Sequence, residues 1–222
     1  MNKTRIEWCD ASWNPVVGCT GACPYCYARK MAHRFHRDFT PHWVEKNFNR
    51  AMPKKPSRIF VNSMSDLADW EADWLDWVWI RMALAPEHLF LFLSKRPWDC
   101  EWVPRKNAML GYSITNQSDL ISLYNCPVSP GSADEQVGNI SFLSIEPLLG
   151  PIELSRWLPR WVIVGAETGN RKGKVEPELD WLLEIHEFAR ARKIPLFFKD
   201  SLRHLWPCSC FPQEYPARER GG

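Results

Sequence analysis

The 222-residue sequence has no apolar run approaching the ~20 residues that a membrane-spanning helix requires. Its first residues, MNKTRIEWCD, lack the apolar core of a secretory leader. A cytoplasmic protein with no membrane contact is therefore expected. No sharp repeat and no low-complexity tract interrupts the chain. No G-x-G-x-x-G follows the first apolar run, which counts against an open dinucleotide-binding sheet. Net charge is scarce too, at +2, too little by itself to announce a nucleic-acid partner. Cysteine is not scarce. Eight cysteines would read as a disulfide framework in a small secreted chain, but in one this long, without an export signal, reduced thiols serving a metal fit better. The length suits one large domain over residues 1–222, with a short extension at 1–11 and a tail at 201–222.

The charge that is present is unevenly placed. Between Arg29 and Arg58 nine Lys/Arg face only Asp38 and Glu45, whereas Asp66 to Asp76 holds five acids and no base. Surface helices with solvated faces account for such runs as readily as a partner does. Most of the thirteen tryptophans are expected in core or rim packing.

Short apolar runs recur along the chain, each ended by polar or turn residues. They read as strands at Asn14–Gly18, Arg58–Ser63, Leu89–Ser94, Leu110–Thr115, Ile140–Glu146, Trp161–Glu167 and Pro195–Asp200. Helix-compatible segments lie between them at Tyr27–Phe39, Leu67–Ala85, Asp119–Tyr124 and Glu178–Arg192, the last preceded by Pro177 at a first-turn position. Alternating strands and helices indicate an α/β fold with a parallel sheet. Continuously apolar strands indicate a sheet covered by helices, or one rolled into a partial (β/α)6-type or near-complete TIM-like barrel. Functional groups gather at the carboxyl ends of such strands. Those ends carry Asn62, Ser63, Met64 and Asp66; Ser94, Lys95 and Arg96; Thr115, Asn116 and Gln117; Glu146; Glu167; Lys199 and Asp200.

After the first run stands GCTGACPYCYARK, which places Cys19, Cys23 and Cys26 at C-x3-C-x2-C. Structural zinc and electron-carrying clusters usually take four protein ligands, so a compact triple suggests a centre with one position left open. Three thiolates hold three irons of a 4Fe-4S cluster and leave the fourth for an outside ligand; zinc with Cys9, His33 or His36 as fourth ligand is the alternative. Cys100, Cys126, Cys208 and Cys210 follow no strong metal pattern.

GCTGACPYC is similar to the C-x3-C-x-aromatic-C signature of the radical S-adenosylmethionine superfamily, with Tyr25 at the aromatic position. The segments RIEWCDASWNPVVGC, IFVNSMSDL, LFLSKRP, LSIEPLLGPI, WVIVGAETG and PLFFKD, spread over residues 3 to 216, resemble a phage- and prophage-associated group of three-Cys-motif radical-SAM-like proteins. The superfamily resemblance implies a radical-SAM core barrel with the cysteine loop at the end of its first strand. Cys19, Cys23 and Cys26 would ligate the cluster, whose open iron binds S-adenosylmethionine. Reductive cleavage, with an electron from an external donor, then yields a 5'-deoxyadenosyl radical that abstracts hydrogen.

Carried over residue by residue, the resemblance puts the backbone near Tyr25 and Tyr27 against adenine. Where the superfamily has a Gly-Gly-Glu-like motif, this chain has Asn62-Ser63-Met64-Ser65-Asp66. That departure leaves the amine contacts open, with Ser63 and Asp66 as the candidate acceptors for the methionine ammonium, since a cation favours oxygen. Lys95 would meet the carboxylate, Thr115 and Asn116 the ribose, and Glu146 and Glu167 the cosubstrate or the substrate, unless they form structural ion pairs.

Phage association suggests a nucleotide or DNA substrate, such as an amino-acid adduct on thymine isomerised during DNA hypermodification. Arg29, Lys30, His33, Arg34, His36 and Arg37 would face phosphates, and Trp43, Trp70, Trp98 and Trp102 would offer stacking surfaces. Radical chemistry on an amino acid or peptide is the second reading. A non-catalytic zinc or cluster protein that binds nucleic acid is the third.

Overall fold

The computed structural model describes residues 2–124, 140–155 and 158–217. The chain forms two compact units, Met1–Leu110 and Gly111–Gly222. Among the described residues ten strands form: β1 (Asn2–Lys3), β2 (Ala11–Ser12), β3 (Val16–Val17), β4 (His42–Trp43), β5 (Arg58–Phe60), β6 (Leu89–Ser94), β7 (Ala108–Ile114), β8 (Ile140–Ile145), β9 (Val162–Val164) and β10 (Leu196–Phe198). The helices are α1 (Tyr27–Arg34), α2 (Glu45–Phe48), α3 (Ala72–Ala83), α4 (Gln117–Tyr124) and α5 (Leu179–Arg192).

In the first unit the strand order is β1-β2-β5-β6-β7, the last strand being divided between the units. β1 is antiparallel to β2, and β2, β5 and β6 run parallel. In β6, Phe90, Leu91 and Phe92 are all buried, the continuous pattern of a strand covered on both faces. α3 packs Leu75, Val78, Trp79 and Met82 inward. Trp13 is buried between Phe48 and Phe90, and its ring nitrogen donates to the Asn47 carbonyl at 3.1 Å. In the second unit the order is β7-β8-β9-β10, with β8, β9 and β10 parallel and β9 and β10 wholly buried. α5 contributes Leu182, Ile185 and Ala189 to that core. The residues after β10 fold back along it: the Phe198 amide donates to the Pro212 carbonyl at 2.8 Å and the Glu214 amide to the Leu196 carbonyl at 2.9 Å.

Four elements differ from expectation in where they lie or begin and end. The first parallel strand is Ala11–Ser12, not Asn14–Gly18, because Pro15 has no N–H to continue a ladder. Val16–Val17 turns away instead and pairs antiparallel with β4 in a separate two-stranded sheet. The segment expected as one helix over Leu67–Ala85 opens with a 3-10 turn, Leu67–Asp69, before α3 begins. The Asp66 side chain caps that turn by accepting from the Ala68 amide at 3.1 Å.

Tyr27–Phe39 is likewise shorter as a helix than expected, ending at Arg34. His36 adopts φ +51°, and the chain returns to bury Phe39 against Ala28 and Ala32. α4 starts two residues before its expected first residue, Asp119, because Asn116 Oδ1 accepts from the amides of Ser118 at 2.9 Å and Asp119 at 3.2 Å. Cys126 lies outside the described residues.

Candidate functional site

Within the first unit the cysteine loop leaves the β3 strand through Gly18. This residue has φ +102°, and a Cβ there would sit 2.0 Å from the Thr40 carbonyl oxygen, so only glycine fits. Its amide donates to the Met64 carbonyl at 3.0 Å, which sets the start of the loop beside the segment that follows β5.

Cys19, Cys23 and Cys26 are free thiols, all partly buried. The Gly21 amide donates to Cys19 Sγ at 3.2 Å and the Arg29 amide to Cys26 Sγ at 3.4 Å, so Cys26 is also the N-cap of α1. A side chain at Gly21 would come within 3.3 Å of Cys19 Sγ and 4.0 Å of Cys23 Sγ; glycine keeps that space open. Burial pushes the Cys19 thiol up to about 12; the Gly21 amide opposes this and the nearby Asp66 and Asp69 carboxylates add to it.

Among the described residues no three His, Cys, Asp or Glu side chains are gathered as a cage for a single ion. A tetrahedral zinc site, with Zn–S of about 2.3 Å, needs sulfurs about 3.8 Å apart. A cubane cluster sets its thiolates wider, at the corners of a larger body. Three free thiols on one loop, two of them receiving backbone N–H groups, with glycine between two of the sulfurs, are a donor set that fits such a cluster.

Charged residues hold the loop in place. Thr20 donates its amide to Asp69 Oδ2 at 2.9 Å and its hydroxyl to Asp69 Oδ1 at 2.7 Å, and Arg96 Nη2 reaches the same Oδ1 at 2.5 Å. Burial raises the Asp69 pKa, but these donors outweigh it and hold the carboxyl below its usual range. Arg29, expected to face phosphate, turns inward instead. Its Nη2 donates to the carbonyls of Cys19 at 2.7 Å and Gly21 at 2.5 Å, and its guanidinium lies 5.0 Å from the Phe39 ring centre.

Asp66 is buried, and both its oxygens are engaged within the fold. Ser94 Oγ donates to Oδ1 at 2.6 Å and the Lys95 amide to Oδ2 at 3.0 Å. The Lys95 ammonium lies 5.3 Å from the Tyr25 ring centre. Ser63 Oγ donates to Asn14 Oδ1 at 3.1 Å, and Tyr27 Oη donates to the Ser63 carbonyl at 2.5 Å. Asn62 bridges β5 to β6 by donating to the Leu93 carbonyl at 2.6 Å and accepting from the Leu93 amide at 3.0 Å. In the same unit the Cys100 thiol is pushed up to about 12 by burial, against a hydrogen bond from Ser94.

Three of the four tryptophans expected as stacking surfaces, Trp43, Trp70 and Trp102, are built into packing. Trp43 meets Phe48, Trp74 and Trp77; Trp70 meets Phe92 and donates to Ser65 Oγ at 3.0 Å; Trp102 meets Trp79 and Phe92.

The second unit carries its own group at its strand ends. The Thr115 amide and hydroxyl donate to Asp119 Oδ2 at 2.7 and 2.8 Å, and Asn116 Nδ2 donates to Thr115 Oγ1 at 3.1 Å. Glu146 pairs with Lys199. Glu167, buried, takes Arg171 in a two-pronged pair at 2.6 and 2.7 Å, which raises the Arg171 pKa. Arg171 is a partner that the strand-end pattern did not reveal, since it lies on a loop of mixed charge. The exposed Cys208 and Cys210 are paired with each other.

Parallel strands, with a loop of three free thiols following the first of them in the chain, define an α/β protein. The chain belongs to the family described as "Protein of unknown function", DUF5131, whose model matches residues 3–205. Among curated proteins none matches it. Among solved structures it is similar to a spore photoproduct lyase with a cysteine-to-serine substitution, at 10% identity and TM-score 0.59 over 89% of this chain and 79% of that one. A tyrosine-to-phenylalanine form of the lyase gives 10% identity and TM-score 0.56 over 89% and 78%. This likeness shows the fold, the partial (β/α) barrel expected from the strand pattern.

Proposed function

We propose that the protein is a radical S-adenosylmethionine enzyme that acts on a nucleobase or nucleotide. The observation that carries the proposal is the cysteine loop. Three free thiols lie on one loop, two of them, Cys19 and Cys23, bordering the open space at Gly21, and the loop follows the first parallel strand of an α/β fold in the chain. Cys19, Cys23 and Cys26 would hold a 4Fe-4S cluster, which supplies one electron to cleave bound S-adenosylmethionine reductively and so starts hydrogen abstraction.

This chain's own residues position and enclose. Asp69 and Arg29 both fix the start of the loop, Asp69 through Thr20 and Arg29 through the carbonyls of Cys19 and Gly21, and backbone amides donate to the sulfurs of Cys19 and Cys26. Asp66 orients the Lys95 backbone, and we assign Ser63, Asp66, the Lys95 ammonium and the rings of Tyr25 and Tyr27 to the cosubstrate. We assign Thr115, Asn116, Glu146 and Glu167 to the cosubstrate or substrate as well, each held by its partner within the second unit.

The nucleobase assignment is supported by the basic helix that follows the loop, and isomerisation of an amino-acid adduct on phage thymine is its most specific form. The name of the fold's solved relatives speaks of a photoproduct, which is a property of those proteins. Anaerobic purification tests the proposal. A brown protein with about four irons, cleaving S-adenosylmethionine once reduced, is expected. Zinc in place of iron would overturn it in favour of a non-catalytic nucleic-acid-binding protein. Nucleosides from phage DNA made with and without the gene test the substrate; identical profiles would favour an amino acid or peptide.

A further inference from the structure

α1 has its side chains the wrong way round for a helix that only packs on its own unit. It buries Ala28 and Ala32 while Tyr27, Met31 and Phe35 stand 52%, 46% and 58% exposed. Residues 27, 31 and 35 fall at i, i+4 and i+8, one strip along the helix, and Lys30 and Arg34, both exposed, form the adjacent strip. The helix has no acid in its first turn. Neither Lys30 nor Arg34 has an ion-pair partner among the described residues, and the next acid along the chain, Asp38, turns to Thr40, whose amide it accepts at 3.0 Å. Arg37 lies 5.7 Å from the centre of the Phe35 ring and adds a cation beside it.

We propose that this outer face of α1 is a single-stranded nucleic-acid-binding surface, on which a base stacks against Phe35 while Lys30, Arg34 and Arg37 track the phosphates. Flat rings interleaved with cations are what a strand with exposed bases recognises. A stacked duplex hides those base faces and offers only its charge. The other exposed apolar strip of this unit, Trp77, Ile80 and Leu84 on α3, makes the contrast: its helix carries exposed Asp73 and Asp76 and would repel a phosphate backbone. Because Cys26 caps α1, a strand lying along the helix passes directly beside the cysteine loop. The inference rests on the nucleobase reading for its choice of partner, and it adds that the base arrives already unpaired or is extruded at this face.

The test is fluorescence anisotropy of a labelled oligothymidylate of about 12 nucleotides, within the usual single-strand site sizes, on the full chain over a range of salt. Single strand should bind more tightly than the matching duplex. Phe35→Ala should weaken binding about tenfold, as loss of one stacking contact does, with no change in the slope of log K against log salt. Lys30→Gln with Arg34→Gln should flatten that slope by about 1.4. All three side chains are exposed, so thermal unfolding of each variant should match the parent. Equal binding by parent and variants, preference for duplex, or binding only to anionic vesicles would overturn the proposal. Iron content and S-adenosylmethionine cleavage on the same samples keep the two readings apart. Strand binding without a cluster defeats the enzyme reading alone, and a working cluster without strand binding defeats this one alone.

Discussion

Asp69 and Arg96 meet at 2.5 Å, and the carboxylate that receives this guanidinium also takes both the amide and the hydroxyl of Thr20, inside the cysteine loop. One side chain from the 3-10 turn after β5 therefore ties the loop to the end of β6. Asp69 is only 5% exposed at its side chain, so the three donors are not exchanged cheaply for water.

Replacing Asp69 should loosen the loop before it unfolds the protein. In Asp69→Ala, Cys19 of the metal-free protein should react with iodoacetamide several-fold faster than in the parent, and iron uptake should fall. An unchanged alkylation rate would show that the loop is held by Arg29 and Gly18 alone. Arg96→Lys, which keeps the charge but not the planar geometry, should give an intermediate rate.

The same carboxylate sets a pH dependence. Its pKa is depressed in the folded protein, so its contribution to stability is complete above the unfolded value of about 3.9 and is lost as pH falls through the lower folded value. The stability gap between the parent and Asp69→Asn, read from urea unfolding, should be constant from about pH 7 to 5 and shrink below about pH 4. A gap that widens in acid would contradict the assignment.

Two glycine substitutions should differ in severity. At Gly165 a Cβ would meet Lys199 Cδ at 2.8 Å and Glu146 Cδ at 3.4 Å, and both are side chains that can give way. Gly165→Ala should cost about 1–3 kcal/mol and disturb the Glu146–Lys199 pair. At Gly18 the obstacle is backbone and φ is positive, so Gly18→Ala should cost at least about 3 kcal/mol. Denaturant midpoints give both values.

Cys23→Ala should abolish iron loading while leaving thermal unfolding of the metal-free protein near that of the parent, since among the described residues Cys23 caps no helix and is engaged through its backbone carbonyl, which accepts from the Cys26 amide at 3.1 Å. Full iron content in that variant would remove Cys23 from the ligand set.

The sheet was largely legible in the sequence because its strands are short, apolar runs buried on both faces. Leu89–Ser94 matches to the residue, and Glu178–Arg192 differs by one. Less legible were places where one atom decides the path. Pro15 diverts the first run into a side sheet, and a positive φ at His36 cuts α1 short. At the site, the cysteine spacing could be read directly. The roles of Arg29 and Asp69 could not, because a cation in a basic run and an acid in an acidic run look solvated until the loop that folds onto them is in place. The exposed strip on α1 was hidden for the opposite reason. Tyr27, Met31 and Phe35 have the spacing of a core face, and only the two alanines beneath the helix reveal which side is buried.

Cys26 is both the third thiol of the loop and the residue on which α1 begins. Its sulfur accepts from the first turn of the helix, so any atom that sulfur binds competes for or polarises the same lone pairs. Cys26→Ala would therefore remove a thiol of the loop and the N-cap of α1 in one change, whereas Cys26→Ser would keep an acceptor for the Arg29 amide.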